Sequence, residues 1–219
     1  MLRGIFRPAI LLTLLLCVIT GFLYPGIVTG LAQLLFPHQA NGSLVTAPDG
    51  HVLGSELIGQ SFIRPEYFHP RPSAAGAGYD DTLSGGSNLG PTSRKLADTL
   101  IAGAVATVVR EDGAVRGRIP SDMVTASASG LDPHISPANA DLQVARVARA
   151  RGADPAGVRA LVARSIVGRT LGFLGDPRVN VLELNLALDR QFPLKAFTRG
   201  VGGVPRRHAV PVTSAALTP

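Results

Sequence analysis

The sequence predicts an α+β protein, in which a single N-terminal transmembrane helix is followed by one extracytoplasmic mixed α/β domain. Three observations predict this class. The chain has no Asp, Glu, Lys or Arg between Arg7 and Asp49. Short apolar runs broken by glycine and proline follow, and helix-start signals recur in the C-terminal half. About 180 residues remain after the apolar stretch, which is enough for one ordinary domain and a tail.

The apolar stretch 9–36 is long enough to cross a bilayer. Its roughly 28 residues make about 42 Å of helix, whereas a bilayer core of roughly 30 Å needs about 20 residues. Pro25 removes a backbone donor and crowds the carbonyl four residues earlier, but that residue is Gly21 and adds no side chain. We therefore predict a transmembrane helix over 9–36, kinked near Pro25, whose central part runs from Ile10 to Gln33.

A cleaved signal peptide is the alternative interpretation of this stretch. Arg3 and Arg7 would form its charged region, and Gly30-Leu31-Ala32 is an acceptable small-x-small cleavage site. The apolar run exceeds the ~7–15 residues of a signal-peptide core, which favours an uncleaved anchor.

The basic residues predict the orientation of the span. Arg3 and Arg7 precede it, and the next Lys or Arg in the chain is Arg64. The positive-inside rule therefore keeps residues 1–8 in the cytoplasm and exports the domain over 37–195. We predict a single-pass protein of the cell inner membrane with a periplasmic C-terminal domain.

Composition argues against some classes of protein. The formal charge is +6 and the pI is near 10.4, but the arginines are scattered and only 5% of residues are aromatic. This pattern is not typical of nucleic-acid binding. A basic face toward anionic membrane lipid or toward an acidic partner, or simple solubility, remains open. Cys17, the one cysteine, lies in the span, so the domain has no disulfide and depends on its own core.

The first part of the domain predicts a hairpin and then a long loop. Leu44–Thr46 and His51–Leu53 flank Ala47-Pro48-Asp49-Gly50, which is a turn signal. From Arg64 to Gly90, repeated prolines and glycines exclude a long helix or a central strand. The interleaved aromatics indicate an ordered Ω-type loop that packs on the domain, and a plain surface loop is the alternative.

A helix is then predicted from Pro91, ended by Asp112-Gly113. Its apolar residues cover nearly every side, and a helix of that kind is usually buried. We expect it to be the central helix of the domain. A strand is predicted around Met123-Val124-Thr125.

Three helices are predicted in the C-terminal half. Ser136 caps the first, with Pro137 at its first position and Gly152 at its end. Asp154-Pro155 starts the second, whose apolar stripe runs to Ile166, and the two should be antiparallel. Asn180 caps a short last helix.

Two further expectations concern arginines and the C-terminus. Arg146 and Arg149 are expected to lie opposite the buried stripe of the first of these helices. Beyond Lys195, the segment 196–219 has little apolar content and is predicted to be a disordered tail.

No catalytic residues and no metal site are predicted. The stretch Gly85–Gly90 precedes a helix but lacks the lysine of a phosphate-binding loop, so lipid or nucleotide binding there is a minor alternative. Close backbone approach is the default role of these glycines. No histidine pair has metal-ligand spacing. Thr92 and Lys95 form a hydroxyl–lysine pair, the basis of an alternative function as a membrane-anchored extracytoplasmic hydrolase.

Several long motifs, in this order along the chain, resemble those of the C subunit of the Kdp-type potassium-transporting ATPase. They are Gly54-Ser55-x-Leu57-Ile58-Gly59-Gln60-x-Phe62, Pro65-x-Tyr67-Phe68, Arg71-Pro72-Ser73-Ala74, Ser84-Gly85-Gly86-Ser87-Asn88-Leu89-Gly90-Pro91, Ser129-Gly130-Leu131-Asp132-Pro133-His134-Ile135-Ser136-Pro137, Arg146-Val147-Ala148-x-Ala150-Arg151-Gly152 and Val179-Asn180-Val181-Leu182-x-Leu184-Asn185. The resemblance runs from the span to about Asp189.

The resemblance implies an accessory subunit of a potassium uptake pump. Its partners would be a potassium-binding channel-like subunit, a P-type ATPase subunit and a very small membrane peptide. The family is described as a catalytic chaperone that raises the ATP affinity of the ATPase subunit and supports assembly. The chain lacks the D-K-T-G-T motif, so it is not the hydrolysing subunit. No cofactor is expected to bind it directly: ATP acts through the ATPase subunit, and potassium is the transported ion of the complex.

We predict that the loop from Arg64 to Gly90 is the docking surface. The residues assigned to it are Tyr67, Phe68, Arg71, Tyr79, Ser84, Gly85, Gly86, Ser87, Asn88 and Gly90. Since the predicted orientation exports the domain whereas ATP is cytoplasmic, any effect on nucleotide affinity should act through the conformation of the partner.

Overall fold

The computed structural model describes residues 2–194 and shows a long N-terminal helix followed by a mixed α/β domain. The mixed class predicted above is confirmed for this part of the chain. The tail predicted over 196–219, and the domain boundary at Lys195, lie outside the described residues.

The N-terminal helix consists of α1 (Leu2–Val18), a π-helical turn (Ile19–Leu23) and α2 (Tyr24–Leu35). The segment Gly4–Leu35 is long and apolar enough to be a candidate membrane span, and none of it is buried in the protein. It begins earlier than the predicted span at residue 9.

The π-helical turn lies immediately before Pro25, where the bend was predicted. There the Tyr24 amide donates to the Ile19 carbonyl, five residues back instead of four. Such a turn inserts one extra residue into the helix, and it is a common way to accommodate a break in the hydrogen-bond ladder. Pro25, which has no N–H to donate, then falls in the first turn of α2.

A short helix, α3 (Pro37–Ala40), leads into the predicted hairpin, which is confirmed. Strands β1 (Leu44–Thr46) and β2 (Val52–Ser55) are antiparallel, with Leu44 opposite Ser55. The turn is closed by the Ala47 amide, which donates to the His51 carbonyl at 2.8 Å. The two strands form a sheet of their own.

The predicted central helix is peripheral, so that expectation was wrong. A π-helical segment (Lys95–Ile101) continues into α4 (Ala102–Asp112), and Val108 is the one buried residue of the two segments. Small apolar residues on every side give a helix no preferred face. Their pattern therefore cannot tell a helix inside the core from one that exposes apolar surface.

The predicted strand around Met123-Val124-Thr125 is also wrong, since a 3-10 turn (Ser121–Met123) occupies this place. The Asp122 carboxylate accepts from the Ser136 amide at 2.7 Å and from Asn139 Nδ2 at 2.9 Å. These tertiary hydrogen bonds, which no local pattern encodes, hold the segment as a turn. The strand of this region is β3 (His134–Ile135).

The three C-terminal helices are confirmed as α5 (Pro137–Arg151), α6 (Pro155–Arg164) and α7 (Val181–Gln191). The predicted caps Ser136, Asp154 and Asn180 each accept a hydrogen bond from a backbone amide two or three residues ahead. Two details differ from expectation. Ile166 has left the helix for strand β4 (Ile166–Val167), and Arg146 is buried.

A small antiparallel sheet and the three helices enclose the core. Strand β5 (Arg178–Asn180) lies between β3 and β4. The core side chains come mainly from α5, α6 and α7, together with one loop residue, Phe68. They are Phe68, Ile135, Ala140, Val144, Val147, Ala148, Val158, Leu161, Val162, Val179, Val181, Leu184 and Leu188. The loop thus contributes an aromatic side chain to the centre of the domain.

Leu184→Ala should lower the free energy of unfolding by about 2–5 kcal/mol, because Leu184 is fully buried and its truncation leaves a cavity. Leu100→Ala removes the same atoms from an exposed position of the peripheral helix. It should change the free energy by no more than about 0.5 kcal/mol. Urea unfolding of the full chain in detergent, followed by tyrosine circular dichroism, measures both. Equal losses would mean that the helix from Lys95 is central after all.

Candidate docking loop

The first part of the loop begins with a turn, in which the Tyr67 amide donates to the Arg64 carbonyl at 3.1 Å. Its backbone is clamped by side chains from α5 and α7. Five successive carbonyls, from Pro65 to His69, each accept a hydrogen bond from such a side chain. Arg146 Nη1 donates to Pro65 at 2.7 Å and to Tyr67 at 2.9 Å, Arg151 Nε to Glu66 at 2.7 Å, Asn185 Nδ2 to Phe68 at 3.0 Å and Gln143 Nε2 to His69 at 3.0 Å. We call this arrangement the carbonyl clamp.

Two of the clamping side chains bind the backbone in both directions. Asn185 Oδ1 accepts from the Phe68 amide at 2.8 Å, and Gln143 Oε1 accepts from the His69 amide at 2.7 Å. Each primary amide therefore pairs with one residue as a neighbouring β-strand would. Because a buried backbone group without a partner is costly, these amides allow an irregular segment to pass through the core.

Arg146 connects the loop to the end of α4. Its Nε lies 2.7 Å from Asp112 Oδ1, and the two side chains are only 6% and 4% exposed. The guanidinium thus places its charge against a buried carboxylate and donates further hydrogen bonds to two loop carbonyls and to Gln143 Oε1. The desolvation cost of a buried ion pair is offset only when such extra hydrogen bonds are made.

Arg151 holds the other side of the same segment. Its Nη2 lies 2.8 Å from Asp189 Oδ1, and the guanidinium lies 4.8 Å from the centre of the Tyr67 ring. The Tyr67 hydroxyl donates to Asp189 Oδ2 at 3.2 Å. Burial and then the charge of Asp189 raise the pKa of Tyr67, so the phenol remains a neutral donor.

The middle of the loop is tied to the chain before β3. Arg71 Nη1 lies 2.9 Å from Asp132 Oδ2, and Ser73 Oγ donates to the Gly130 carbonyl at 2.6 Å. Ser73 Oγ also accepts from the amide of Tyr79, whose hydroxyl donates to the Arg71 carbonyl.

Burial raises the pKa of Tyr79, and the charge of Asp132 adds to this. Burial also raises the pKa of Asp132, but hydrogen bonds from His134 and Arg71 outweigh it and lower the pKa.

The glycine-rich end of the loop lies directly against another backbone segment. The Gly85 amide and Ser84 Oγ both donate to the Ser129 carbonyl, at 2.8 and 3.0 Å. A Cβ on Gly130, whose φ is +69°, would lie 2.6 Å from the Gly85 carbonyl oxygen, and one on Gly86 would lie 3.0 Å from the Ala128 carbonyl oxygen. The prediction that glycines here permit close backbone approach is confirmed for Gly86.

The structure divides the predicted docking residues into two groups. Phe68 is fully buried, so its side chain supports the loop from within and cannot contact a partner. Tyr67, Arg71 and Tyr79 are half-buried and make the internal bonds described above. The exposed or half-exposed group, which remains available for docking, comprises Ser84, Gly85, Gly86, Ser87, Asn88 and Gly90. The docking role itself stays a prediction.

The residues that hold the loop were not predicted from the sequence. Gln143, Asn185 and Arg146 come from helices far along the chain, and Arg146 was expected on the opposite face. A signal existed: Gln143 and Asn185 stand beside Val144 and Leu184 in otherwise apolar helix faces. A polar side chain at a buried helix position must have a partner, and here the partner is a loop backbone.

The alternative function, a hydrolase that uses Thr92 and Lys95, finds no structural support in the described residues. Thr92 and Lys95 are both exposed, and within residues 2–194 neither makes a side-chain hydrogen bond. No group of three or more His, Cys, Asp or Glu with metal-binding geometry occurs in that range.

A cavity of about 380 Å³ lies between the loop and α4, lined by His69, Glu111 and Val108 among others.

His69, beside this cavity, is held in an unusual environment. Its Nε2 lies 3.3 Å from Arg146 Nη1, and its Nδ1 lies 3.9 Å from Glu111 Oε2. Burial and then the charge of Arg146 lower the pKa of His69 below its ordinary value of 6.5. Between this lowered pKa and pH 6.5, the imidazole is therefore mostly neutral in the folded protein and mostly protonated in the unfolded chain.

Comparisons with known proteins identify the family to which these features belong. A family model for the K+-transporting ATPase c chain, KdpC, matches residues 6–190. The chain is 63% identical over 184 residues to a potassium-transporting ATPase KdpC subunit of Gemmatimonas aurantiaca, covering 84% of this chain and 91% of that protein. It is 57% identical over 199 residues to the KdpC subunit of Myxococcus xanthus, covering 90% and 94%. The KdpC subunit of Koribacter versatilis is 54% identical over 186 residues, covering 85% and 94%.

Arg146→Ala should lower the free energy of unfolding by about 3–5 kcal/mol, since it leaves Asp112 buried and unpaired. Arg159 provides a matched control, because its Nε also lies 2.7 Å from a carboxylate, that of Asp141, but these side chains are 59% and 56% exposed. Arg159→Ala should cost less than about 1 kcal/mol. Chemical unfolding of both variants at pH 7 is the measurement, and similar losses would contradict the structural role of Arg146.

The pH dependence of stability should contain a contribution from His69. As the pH falls below 6.5, the unfolded chain binds a proton that folded His69 does not, so the free energy of unfolding decreases. His69→Gln should flatten the stability profile just below pH 6.5. The depressed pKa of Asp132 affects stability as the pH falls through its ordinary value of 3.8, at more acidic pH than this. The measurement is the free energy of unfolding of both chains over a series of pH values. Parallel curves for the wild-type and variant chains would show that His69 does not contribute to the pH dependence of stability.

Proposed function

The chain belongs to the KdpC family of K+-transporting ATPase c chains, and on that premise we propose that it is an accessory, non-hydrolytic subunit of an ATP-driven potassium uptake pump. The observation that carries this proposal is the carbonyl clamp. In the clamp, buried side chains from α5 and α7 use their hydrogen bonds to fix the shape of a loop, and they do not surround a site where a substrate could react. We expect this arrangement in a subunit that acts by binding to a partner subunit.

The proposed placement is in the inner membrane, with the domain on the outer side. The candidate span Gly4–Leu35 supports the membrane location. Arg3 and Arg7 lie at its N-terminal end, and no Lys or Arg follows until Arg64. The positive-inside rule then favours a cytoplasmic N-terminus and a periplasmic domain.

The proposed docking surface is the solvent-facing edge of the loop, from Leu83 to Gly90. Leu83 is 60% exposed. Asn88 is also exposed, and its φ of +51° lies in the left-handed region of backbone conformation. The two hydrogen bonds that the Gly85 amide and Ser84 Oγ donate to the Ser129 carbonyl fix this edge before any partner arrives. A surface fixed in advance loses less conformational entropy on binding, which favours docking on the channel-like subunit.

The proposed effect on ATP is indirect. Since the domain lies outside the membrane in this proposal, it can raise the ATP affinity of the ATPase subunit only by favouring one of that subunit's conformations. The same contacts would support assembly with the small membrane peptide. No ATP or potassium site is proposed on this chain. The hydrolase alternative would require Thr92 and Lys95 to act together, and no contact between them supports it.

Leu83→Asp should weaken the association with the pump by about tenfold or more, because a buried interface position would receive an unpaired charge. Val115 is a matched control: it is 65% exposed in a different loop, so Val115→Asp adds the same charge outside the proposed surface. The measurement is the amount of ATPase subunit that co-purifies with each tagged chain from membranes. Potassium-stimulated ATP hydrolysis at low ATP concentration provides the functional readout.

Two outcomes would contradict the proposal. Equal co-purification of the Leu83→Asp and Val115→Asp chains would exclude the loop edge as the docking surface. Lys95→Ala should leave co-purification and pump activity unchanged. A loss of pump activity with Lys95→Ala, in a chain that still assembles, would favour the hydrolase instead.

A further inference from the structure

The cavity of about 380 Å³ between the loop and α4 is lined by residues outside the proposed docking edge. Apolar side chains form part of its wall: Phe62 and Ile63 lie just before the loop, and Ala104 and Val108 belong to α4. His69 contributes a polar ring from the loop. Ligand cavities in proteins measure roughly 300–1,000 Å³ and combine an apolar wall with a few polar groups. This cavity therefore has the size and lining for a small molecule.

The hydrogen bonds around His69 determine which of its ring nitrogens carries the proton. Arg146 Nη1 has two hydrogens, and it donates them to the Pro65 and Tyr67 carbonyls at 2.7 and 2.9 Å. It therefore has none left for His69 Nε2, which lies 3.3 Å away. The Arg64 carbonyl oxygen, which can only accept, lies 3.0 Å from Nε2. This network assigns the proton to Nε2 and leaves Nδ1 as an acceptor.

His69 Nδ1 faces a second acceptor, the carboxylate of Glu111. Glu111 Oε2 lies 3.9 Å from Nδ1, which is beyond hydrogen-bond distance. Within residues 2–194, no side chain or backbone amide donates a hydrogen bond to either atom. We call these two atoms, His69 Nδ1 and Glu111 Oε2, the acceptor pair. A single donor group placed between them would satisfy both.

The acceptor pair also carries a negative charge into the cavity. The other charged side chains of the lining, Arg71 and Asp112, are each paired with an opposite charge, at 2.9 and 2.7 Å. Glu111 Oε1 lies 3.2 Å from Arg110 Nη2, but the Arg110 side chain is 68% exposed, and exposed pairs are weak. The Glu111 carboxylate is thus the charge that a cation in the cavity would meet.

A primary ammonium group has the donors and the charge that the acceptor pair requires. It carries three N–H donors and one positive charge. A nitrogen about 2.9 Å from each atom of the pair would make two hydrogen bonds about 85° apart, which an ammonium can form with slightly bent bonds. An alkyl group on that nitrogen would bury apolar surface against the cavity wall. A hydrated metal cation would gain nothing from that wall.

We propose that this cavity binds a small organic amine in its ammonium form. The nitrogen lies between the two atoms of the acceptor pair, and the alkyl part lies against Phe62 and Val108. The inference goes beyond the proposed function and does not depend on it. Because His69 belongs to the loop and Glu111 to α4, the bound amine joins these two elements and stabilises the folded chain.

Nitrogen NMR of the full chain in detergent micelles, with only the histidines labelled by ¹⁵N, tests the proposal. The resonances of His69 are identified by their loss in His69→Gln. The spectrum at neutral pH should first show His69 with its proton on Nε2. The probe is n-butylammonium chloride. Equal concentrations of 1-butanol and of potassium chloride control for partition of an alkyl chain and for simple cations.

The Nδ1 resonance of His69 should shift and saturate with n-butylammonium, and it should stay in place with both controls. Glu111→Gln, at an exposed position, should raise the dissociation constant at least about tenfold, because it replaces a charged acceptor by a neutral one. Glu183→Gln removes the same charge from an exposed position of α7 and should leave the constant unchanged.

Four results would overturn the proposal. The first is a proton on His69 Nδ1 in the chain without the amine. The second is a shift that does not saturate, or no shift at all. The third is an equal shift with 1-butanol or potassium chloride, and the fourth is an equal dissociation constant for Glu111→Gln and Glu183→Gln. None of them would bear on the association of the chain with a pump.

Discussion

The carbonyl clamp is the interaction on which the rest of the domain depends. The irregular segment from Pro65 to His69 packs against the core without a neighbouring strand, and its carbonyls are bound by Arg146, Arg151, Gln143 and Asn185. Since each unmet backbone group would cost free energy, the loop and the helices fold together or not at all. Phe68 can fill the core only because its own peptide groups are bound on both sides.

Three of the separated motifs that carry the resemblance meet in the clamp. The segments around Tyr67, Arg146 and Asn185 carry the resemblance and meet in space at this one place. Long motifs are often interpreted as catalytic, but these residues bind backbone and each other. Their chemistry is recognition of the chain by itself, which agrees with the proposal that the domain acts through a surface of fixed shape.

Local rules predicted the parts of the fold that local interactions decide. Ser136, Asp154 and Asn180 cap helices because the cap is made within three residues. The helix from Lys95 was misjudged because its small apolar residues leave no polar face to orient it. The clamp could not be predicted because Gln143 and His69 are 74 residues apart, and Asn185 and Phe68 are 117 residues apart. The proposed docking edge was predicted only from its composition, Gly and Ser in a loop, without the hydrogen bonds that fix it, and its docking role stays a prediction.

The order of these residues along the chain has a consequence for biogenesis. Pro65 to His69 leave the ribosome long before Asn185, which lies near the middle of α7. Until that helix has been synthesised and has reached the same side of the membrane, the backbone amide and carbonyl of Phe68 have no native side-chain partner, and the Tyr67 hydroxyl lacks Asp189. A chain interrupted before α7 would therefore remain exposed to proteolysis, and only a complete translation product would reach a protected, assembly-competent state.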